Sequence, residues 1–191
     1  MSDLPPPPPQ LPPTAGGLPY PPYPPTEKSD LPAKGPGSPG VILPRVGARI
    51  LDGLIVSIPF LFLSQQYIET RGTGDNQEII DNRPGWLLVL LVIVPMLYEF
   101  IFVTMWGQTL GKMALRLKIV RYQDGDRVQP YQAALRTIVP NAPSIIALAL
   151  PLGLGQVLGL VGILIYLSAL IDPIYRGIHD KAAATIVLRT K

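Results

Sequence analysis

Apolar residues come in long blocks separated by short polar ones, and the block lengths predict helices that cross a membrane. From Val46 to Ile68 the chain is apolar apart from Arg49 and Asp52 near its start and polar residues around Ser64. As a helix rising ~1.5 Å per residue this stretch is roughly 35 Å long, enough to cross a bilayer's hydrocarbon core. A second block, Trp86 to Trp106, is almost wholly apolar and has a tryptophan at each end, where an interface would hold it. No charge falls between Ile138 and Ile171. That stretch would be roughly 51 Å long as one helix, too long for a single upright crossing. Pro151, Gly153 and Gly155 supply a turn that divides it into arms at about 132–150 and 156–172. Arg136, Pro140 and Pro143 predict that the first arm is kinked or only partly inserted.

The polar segments set the orientation. Residues 69–83 carry four acids against Arg71 and Arg83 and are expected to form a short external loop. Residues 107–136 carry Lys112, Arg116, Lys118, Arg121, Arg127 and Arg136 against Asp124 and Asp126, which places that segment in the cytoplasm. Arg176, Lys181, Arg189 and Lys191 place the C-terminus there too, so the number of crossings is even. Four helices, or two and a re-entrant hairpin, satisfy this. Within the cytoplasmic segment Leu115, Leu117 and Ile119 alternate with Arg116, Lys118 and Val120 ahead of the turn dipeptide Asp124-Gly125, which predicts a small β-hairpin. The β-branched run within Ala184–Thr190 would add a strand to it.

Composition divides the chain in two. Of its 24 prolines, 16 lie in residues 1–44, so the remainder is more apolar than the overall 48% hydrophobic and 15% charged suggest. Residues 1–44 read as a disordered, proline-rich tail, and residues 45–191 as the transmembrane domain, with spans at about 46–68, 86–106, 132–150 and 156–172. The opening, Asp3 followed by Pro5 to Pro9, lacks the pattern of a secretory signal, and the tail is expected in the cytoplasm. There Leu18 to Pro25 offers PxxP-like geometry to a cytoplasmic partner protein. The fold class expected is therefore an all-α membrane protein with about four transmembrane helices, a small cytoplasmic sheet and a disordered tail, multi-pass in the cell membrane with both termini inside. A net charge of +3 without interleaved aromatics gives no reason to expect nucleic acid, and the absence of cysteine removes disulfides and thiolate chemistry.

Chemistry is sought where charge falls in apolar surroundings. Arg45 and Asp52 are two helical turns apart and share one face of the first helix. An aspartate at the centre of a membrane helix costs about 2.5 to 3.5 kcal/mol on insertion scales, so Asp52 needs a partner. An ion pair with Arg49 is the structural candidate, and a polar path the functional one. Glu99, between Tyr98 and Phe100, must face the bundle interior or be protonated. Asp172 ends the last apolar run as an interfacial cap or salt-bridge partner. His179 has no metal-ligand company and is expected to pack. No catalytic triad, phosphate loop or zinc motif is present, and neither enzyme activity nor a cofactor is expected.

The motifs Arg45-Val-Gly-Ala-Arg-Ile-Leu-Asp52, Gly107-Gln-Thr-Leu-Gly-Lys112 and His179-Asp180-Lys-Ala-Ala-Ala-Thr185, in this order, resemble the RDD family of bacterial membrane proteins over about residues 45–190. With its proline-rich tail the chain is similar to the actinobacterial proline-rich antigen type. The resemblance implies that Arg45 and Asp52 are the family's arginine and first aspartate, and that Asp180 is the second, with Asp172 as the alternative. The run Ala182-Ala-Ala184 departs from the family, where a glycine is common. The implied activity is transport of an undefined ligand, and some members are reported to resemble cation/proton antiporters.

Two functions follow as expectations. In one, Asp52, Glu99 and Arg45 line a path for an ion or small solute, and the few short helices require a homo-oligomer. In the other, the bundle is an anchor in the lipid bilayer and the tail recruits cytoplasmic proteins.

Overall fold

In the computed structural model, residues 24–74, 77–150 and 152–191 are described. The expectations for residues 1–23, including most of the PxxP-like segment, lie outside them. The chain is mostly helical, with two small sheets. Helix α1 (Ile42–Gln65) leads through a hairpin, β1 (Ile68–Arg71) and β2 (Glu78–Asp81), into α2 (Gly85–Trp106). These two helices alone among the described residues are long and apolar enough to cross a membrane. Leu54, Leu61 and Phe62 of α1 and Leu97 and Met105 of α2 are exposed on them, a density of apolar surface that suits lipid and not water. The expected external loop is thus a β-hairpin, because Ile68, Ile79 and Ile80 let its two arms pair. Helix α1 also starts four residues before the expected span.

After α2 come the short α3 (Leu110–Ala114), strand β3 (Leu117–Arg121) and helices α4 (Pro130–Ala147) and α5 (Leu152–Leu167), then the five-residue α6 (Ile178–Ala182) and strand β4 (Thr185–Arg189). Helices α4 and α5 pack on each other, and α4 also packs on α2. The buried stripe of α4 is Gln132, Ala133, Arg136, Thr137, Pro140 and Pro143, spaced at about the helical period, so both prolines lie on its packed side. At 1.5 Å per residue α4 and α5 are about 27 and 24 Å long, slightly short of the hydrocarbon thickness.

Strand β3 does not pair across Asp124-Gly125 as expected. It pairs antiparallel with β4, from Leu117 opposite Arg189 to Arg121 opposite Thr185. Asp124-Gly125 only returns the chain locally, with Arg121 N–H donating to the Asp126 carbonyl. The reason is the partner strand's chemistry: residues 122–129 hold only Tyr122 and Val128 as apolar side chains, whereas Ile186, Val187 and Leu188 form a continuous apolar run suited to a strand buried on both faces. Both faces of this sheet are buried. Leu117, Ile119 and Val187 pack with Ala48, Val103 and Ala133 of the helices, while Val120, Ile186 and Leu188 pack with Ile174 and Leu31.

Leu31 belongs to the proline-rich region expected to be a solvated tail, and it is 4% exposed. Residues 24–41 instead run as a strap over the outer face and edge of the sheet. Pro39 bridges to Leu188, Gly40 N–H donates to the Val187 carbonyl, and Arg189 N–H donates to Ser38. The Tyr122 hydroxyl reaches the Pro25 carbonyl at 2.7 Å. The folded part therefore begins well before residue 45, because one more apolar side chain and one row of strand hydrogen bonds were available to hold the strap.

Candidate functional site

Arg45, Ala48, Arg49 and Asp52 recur at three- and four-residue spacing, so α1 presents them toward the other elements at its N-terminal end. Their partners come from four different parts of the chain.

Asp52 is met by the loop that follows α2. Its Oδ1 accepts from the Tyr98 hydroxyl at 2.7 Å and from Gly111 N–H at 2.8 Å, and its Oδ2 accepts from the Thr109 hydroxyl at 2.6 Å. The Tyr98 oxygen in turn accepts from Leu110 N–H at 2.9 Å. The carboxylate thus anchors α3 to α1, with both oxygens engaged. The approach is so close that only glycine fits at 111: a Cβ there would lie 2.2 Å from the Ala48 carbonyl oxygen. Gly107, at φ +69°, ends α2 and aims the chain into this turn.

Arg49 does not pair with Asp52. It donates to Glu99 at 2.7 Å and stacks over the Tyr166 ring of α5 at 4.2 Å. The pairing follows from reach, since the hydroxyls and amide of the next turn already occupy Asp52. Glu99 does face the bundle interior, 2% exposed, and the Lys112 ammonium is its second cation at 3.7 Å.

Asp180, fully buried, is the hub of the third group. It receives Arg45 Nη1 on Oδ2 at 3.1 Å, Arg136 Nη1 on Oδ1, and Gly177 N–H on Oδ2 at 3.2 Å. Arg136 also donates to the Thr185 hydroxyl at 3.0 Å. Arg45 adds bonds to the carbonyls of Gly40, Tyr175 and Val187, tying α1, the strap and β4 together. Asp172 lies apart, bound to Lys181 at 2.6 Å and accepting from Ile174 and Arg176 N–H. Burial works to raise its pKa, but Lys181 and those backbone donors hold it below the usual carboxylate range. Of the two candidates, Asp180 is the aspartate that meets Arg45.

Between α1 and α5 these groups enclose a cavity of about 380 Å³. Arg45, Arg49, Lys112 and Arg136 line it together with Tyr166 and His179, and Ile42, Val46, Ile50, Ile163 and Leu167 form its apolar walls. Burial, reinforced by Arg136, pushes His179 down to about 2, so the imidazole is neutral and packs edge-on against Tyr166. Burial and the neighbouring Arg49 likewise lower Lys112 to about 7 against the pull of Glu99. Three guanidinium groups, Arg45, Arg49 and Arg136, and the Lys112 amine line the cavity, while Glu99 and Asp180 are the carboxylates that pair with them. Arg136 Nε is buried without a hydrogen-bond partner among the described residues. The environment suits an anion.

Of the residues expected from sequence, Arg45 and Asp180 come together, Glu99 meets Arg49, and Asp52 and Asp172 serve as anchors elsewhere. Lys112 and Arg136 were not anticipated as site residues. Their charges counted toward orientation, and only the placement of Arg136 inside an otherwise uncharged arm hinted at burial. Among the described residues no group of His, Asp and Glu is arranged to hold a metal ion.

The family model described as RDD family matches residues 39–184. No curated protein sequence matches the chain. The chain belongs to the RDD family, and that membership together with its two apolar helices points to a membrane protein.

Proposed function

We propose that this RDD-family protein is a multi-pass cell-membrane protein that binds an anionic ligand in the cavity between α1 and α5, as the central step of moving or presenting it at the membrane. In this reading α1 and α2 cross the bilayer, and α4 and α5 form a second hairpin that returns the chain to the same side. Three guanidinium groups and the Lys112 amine among the lining residues, with no carboxylate among them, carry the proposal. A path for a cation through Asp52 and Glu99 is less well supported, because donors already hold both oxygens of Asp52 and two cations hold Glu99.

The test is a ligand series on the purified protein, read as protection against thermal unfolding, since a ligand that binds only the folded state raises the midpoint. At least one anion of the series, inorganic or amphiphilic, is expected to protect, and protection should weaken in Lys112→Gln. Protection by Na⁺ or Li⁺ with no response to any anion would overturn the proposal and restore the cation path.

The strap favours a second role beside the first. Residues 24–41 are fastened to the β3–β4 sheet, which fixes the point at which the proline-rich region joins the bundle. If that region recruits a partner, crosslinking should lose the partner when residues 1–23 are removed and the strap is kept. An unchanged set of partners would rule the adaptor out.

A further inference from the structure

We infer that the cavity is a lateral site for an anionic lipid, whose phosphate head meets the arginines and Lys112 and whose acyl chain lies along the apolar rows of α1 and α5. The inference rests on the reading of the cavity as an anion site and adds what kind of anion enters it.

The first observation is the arrangement of the walls. On α1, Val46 and Ile50 are one turn apart, and on α5, Ile163 and Leu167 are one turn apart, so each helix offers an apolar row beside its polar residues. These apolar side chains remain 38%, 58%, 55% and 39% exposed. A soluble anion gains nothing from such walls. An acyl chain covers them.

The second is the packing of the two helices. Helix α1 packs chiefly on α3 and α2, and α5 on α4 and α6; Arg49 stacked over Tyr166 spans the two helices, and the cavity they line is partly open to the outside. A ligand could enter from within the bilayer without the bundle coming apart.

The third is depth. Arg45 and Arg49 lie in the first two turns of α1, Lys112 follows the end of α2, and His179 and Asp180 belong to the segment after α5. The cationic floor is therefore level with one end of the membrane-spanning helices, where headgroups lie, while Ile50 and Ile163 are a turn deeper. Basic pockets between membrane helices at the interface are suited to anionic headgroups, and guanidinium groups match phosphate oxygens in geometry as well as charge. A volume of about 380 Å³ holds a head and the start of a chain, with the remainder lying in the open cleft.

The experiment uses the full chain, delipidated in a nonionic detergent, with native mass spectrometry and thermal midpoints as readouts. The probes are phosphatidic acid, phosphatidylcholine and inorganic phosphate. Phosphatidic acid is expected to bind one molecule per protomer and to raise the midpoint, and phosphatidylcholine and inorganic phosphate to do neither at the same concentration. Ile163→Trp fills the apolar wall and leaves every charge in place. It should weaken phosphatidic acid binding about tenfold or more, as blocked apolar pockets do. Ile50→Trp, on the opposite wall, should do the same and stands in if the first variant does not fold. Equal binding of phosphatidylcholine, or phosphatidic acid binding unchanged in both tryptophan variants, would overturn the lipid site. Inorganic phosphate binding as tightly as phosphatidic acid would also overturn it while leaving the anion reading intact. No binding of either phosphate species would remove both.

Discussion

Gly111→Ala tests the geometry on which the site depends. The added Cβ would stand 2.2 Å from the Ala48 carbonyl oxygen, and that oxygen belongs to a helix backbone that cannot swing aside. A carbon normally keeps about 3.3 Å or more from a carbonyl oxygen, so α3 must withdraw by about 1 Å. Withdrawal stretches the Gly111 N–H bond to Asp52, now 2.8 Å, beyond hydrogen-bonding range. Overpacking of this kind costs about 1–3 kcal/mol, and a hydrogen bond to a charged group contributes about 1.5–3 kcal/mol. The better helix propensity of alanine returns up to about 1 kcal/mol. The net loss is about 2–4 kcal/mol, which for a chain of this size lowers the thermal midpoint by about 5–15 °C. The assay is thermal unfolding in detergent, with Gly53→Ala as the matched control, because nothing lies within 4 Å of a Cβ at Gly53. That control should be neutral or slightly stabilising. Gly162→Ala, whose Cβ would meet the Pro140 carbonyl at 2.8 Å, should fall between them. In an Asp52→Asn background the Gly111→Ala penalty should shrink, since part of it is the lost bond to the carboxylate. Equal midpoints for the Gly53 and Gly111 variants would refute the close approach of α1 and α3.

Asp180→Asn removes the carboxylate shared by Arg45 and Arg136 and should cost about 3–5 kcal/mol, the usual penalty for a buried charge left uncompensated. Asp172→Asn breaks a pair with the 56% exposed Lys181 and should cost under about 1 kcal/mol, so the reverse order of midpoints would contradict the assignment of the hub. Lys112 releases its proton near pH 7 in the folded state but only near 10.5 when unfolded. Between those values the unfolded chain binds more protons, so stability should rise with pH over that window. Denaturation curves of wild type and Lys112→Met should therefore diverge in slope between pH 7 and 10, and parallel curves would exclude a buried Lys112. Ala184 sits at φ +50°, in the left-handed region, and Ala184→Gly should raise stability by about 1 kcal/mol in the same unfolding assay; a loss would show that the alanine methyl matters more than the backbone. The cysteine-free sequence makes topology mapping direct. Thr73→Cys should react with an impermeant maleimide in intact cells and Asp124→Cys only after permeabilisation, and the opposite pattern would invert the proposed orientation.

The departure at Ala182–Ala184 shows how a local feature becomes interpretable through structure. A glycine suits position 184 because the backbone turns left-handed between α6 and β4, which no periodicity along the chain reveals. Arg136 teaches the same for charge. It looks like a defect in an apolar arm until α6 and β4 bring Asp180 and Thr185 against it.

The sequence by itself determined where the long apolar helices lie, because hydrophobic run length is a local property that the chain displays directly. It also left Glu99 two options, to turn inward or to be protonated, and left Asp180 and Asp172 as alternatives for the family's second aspartate. Only the tertiary structure decided which charge pairs with which. Arg49 and Asp52 are neighbours on one helix, yet each is satisfied from elsewhere, Arg49 by Glu99 of α2 and Tyr166 of α5, and Asp52 by Tyr98 of α2 and by Thr109 and Gly111 at the start of α3. Strand β3 likewise takes its partner from the far end of the chain, and the strap from before α1 closes over the pair. Pairing depends on which groups meet across elements distant in sequence, and on whether a donor has already been taken, and neither is written in the spacing of residues along any one element.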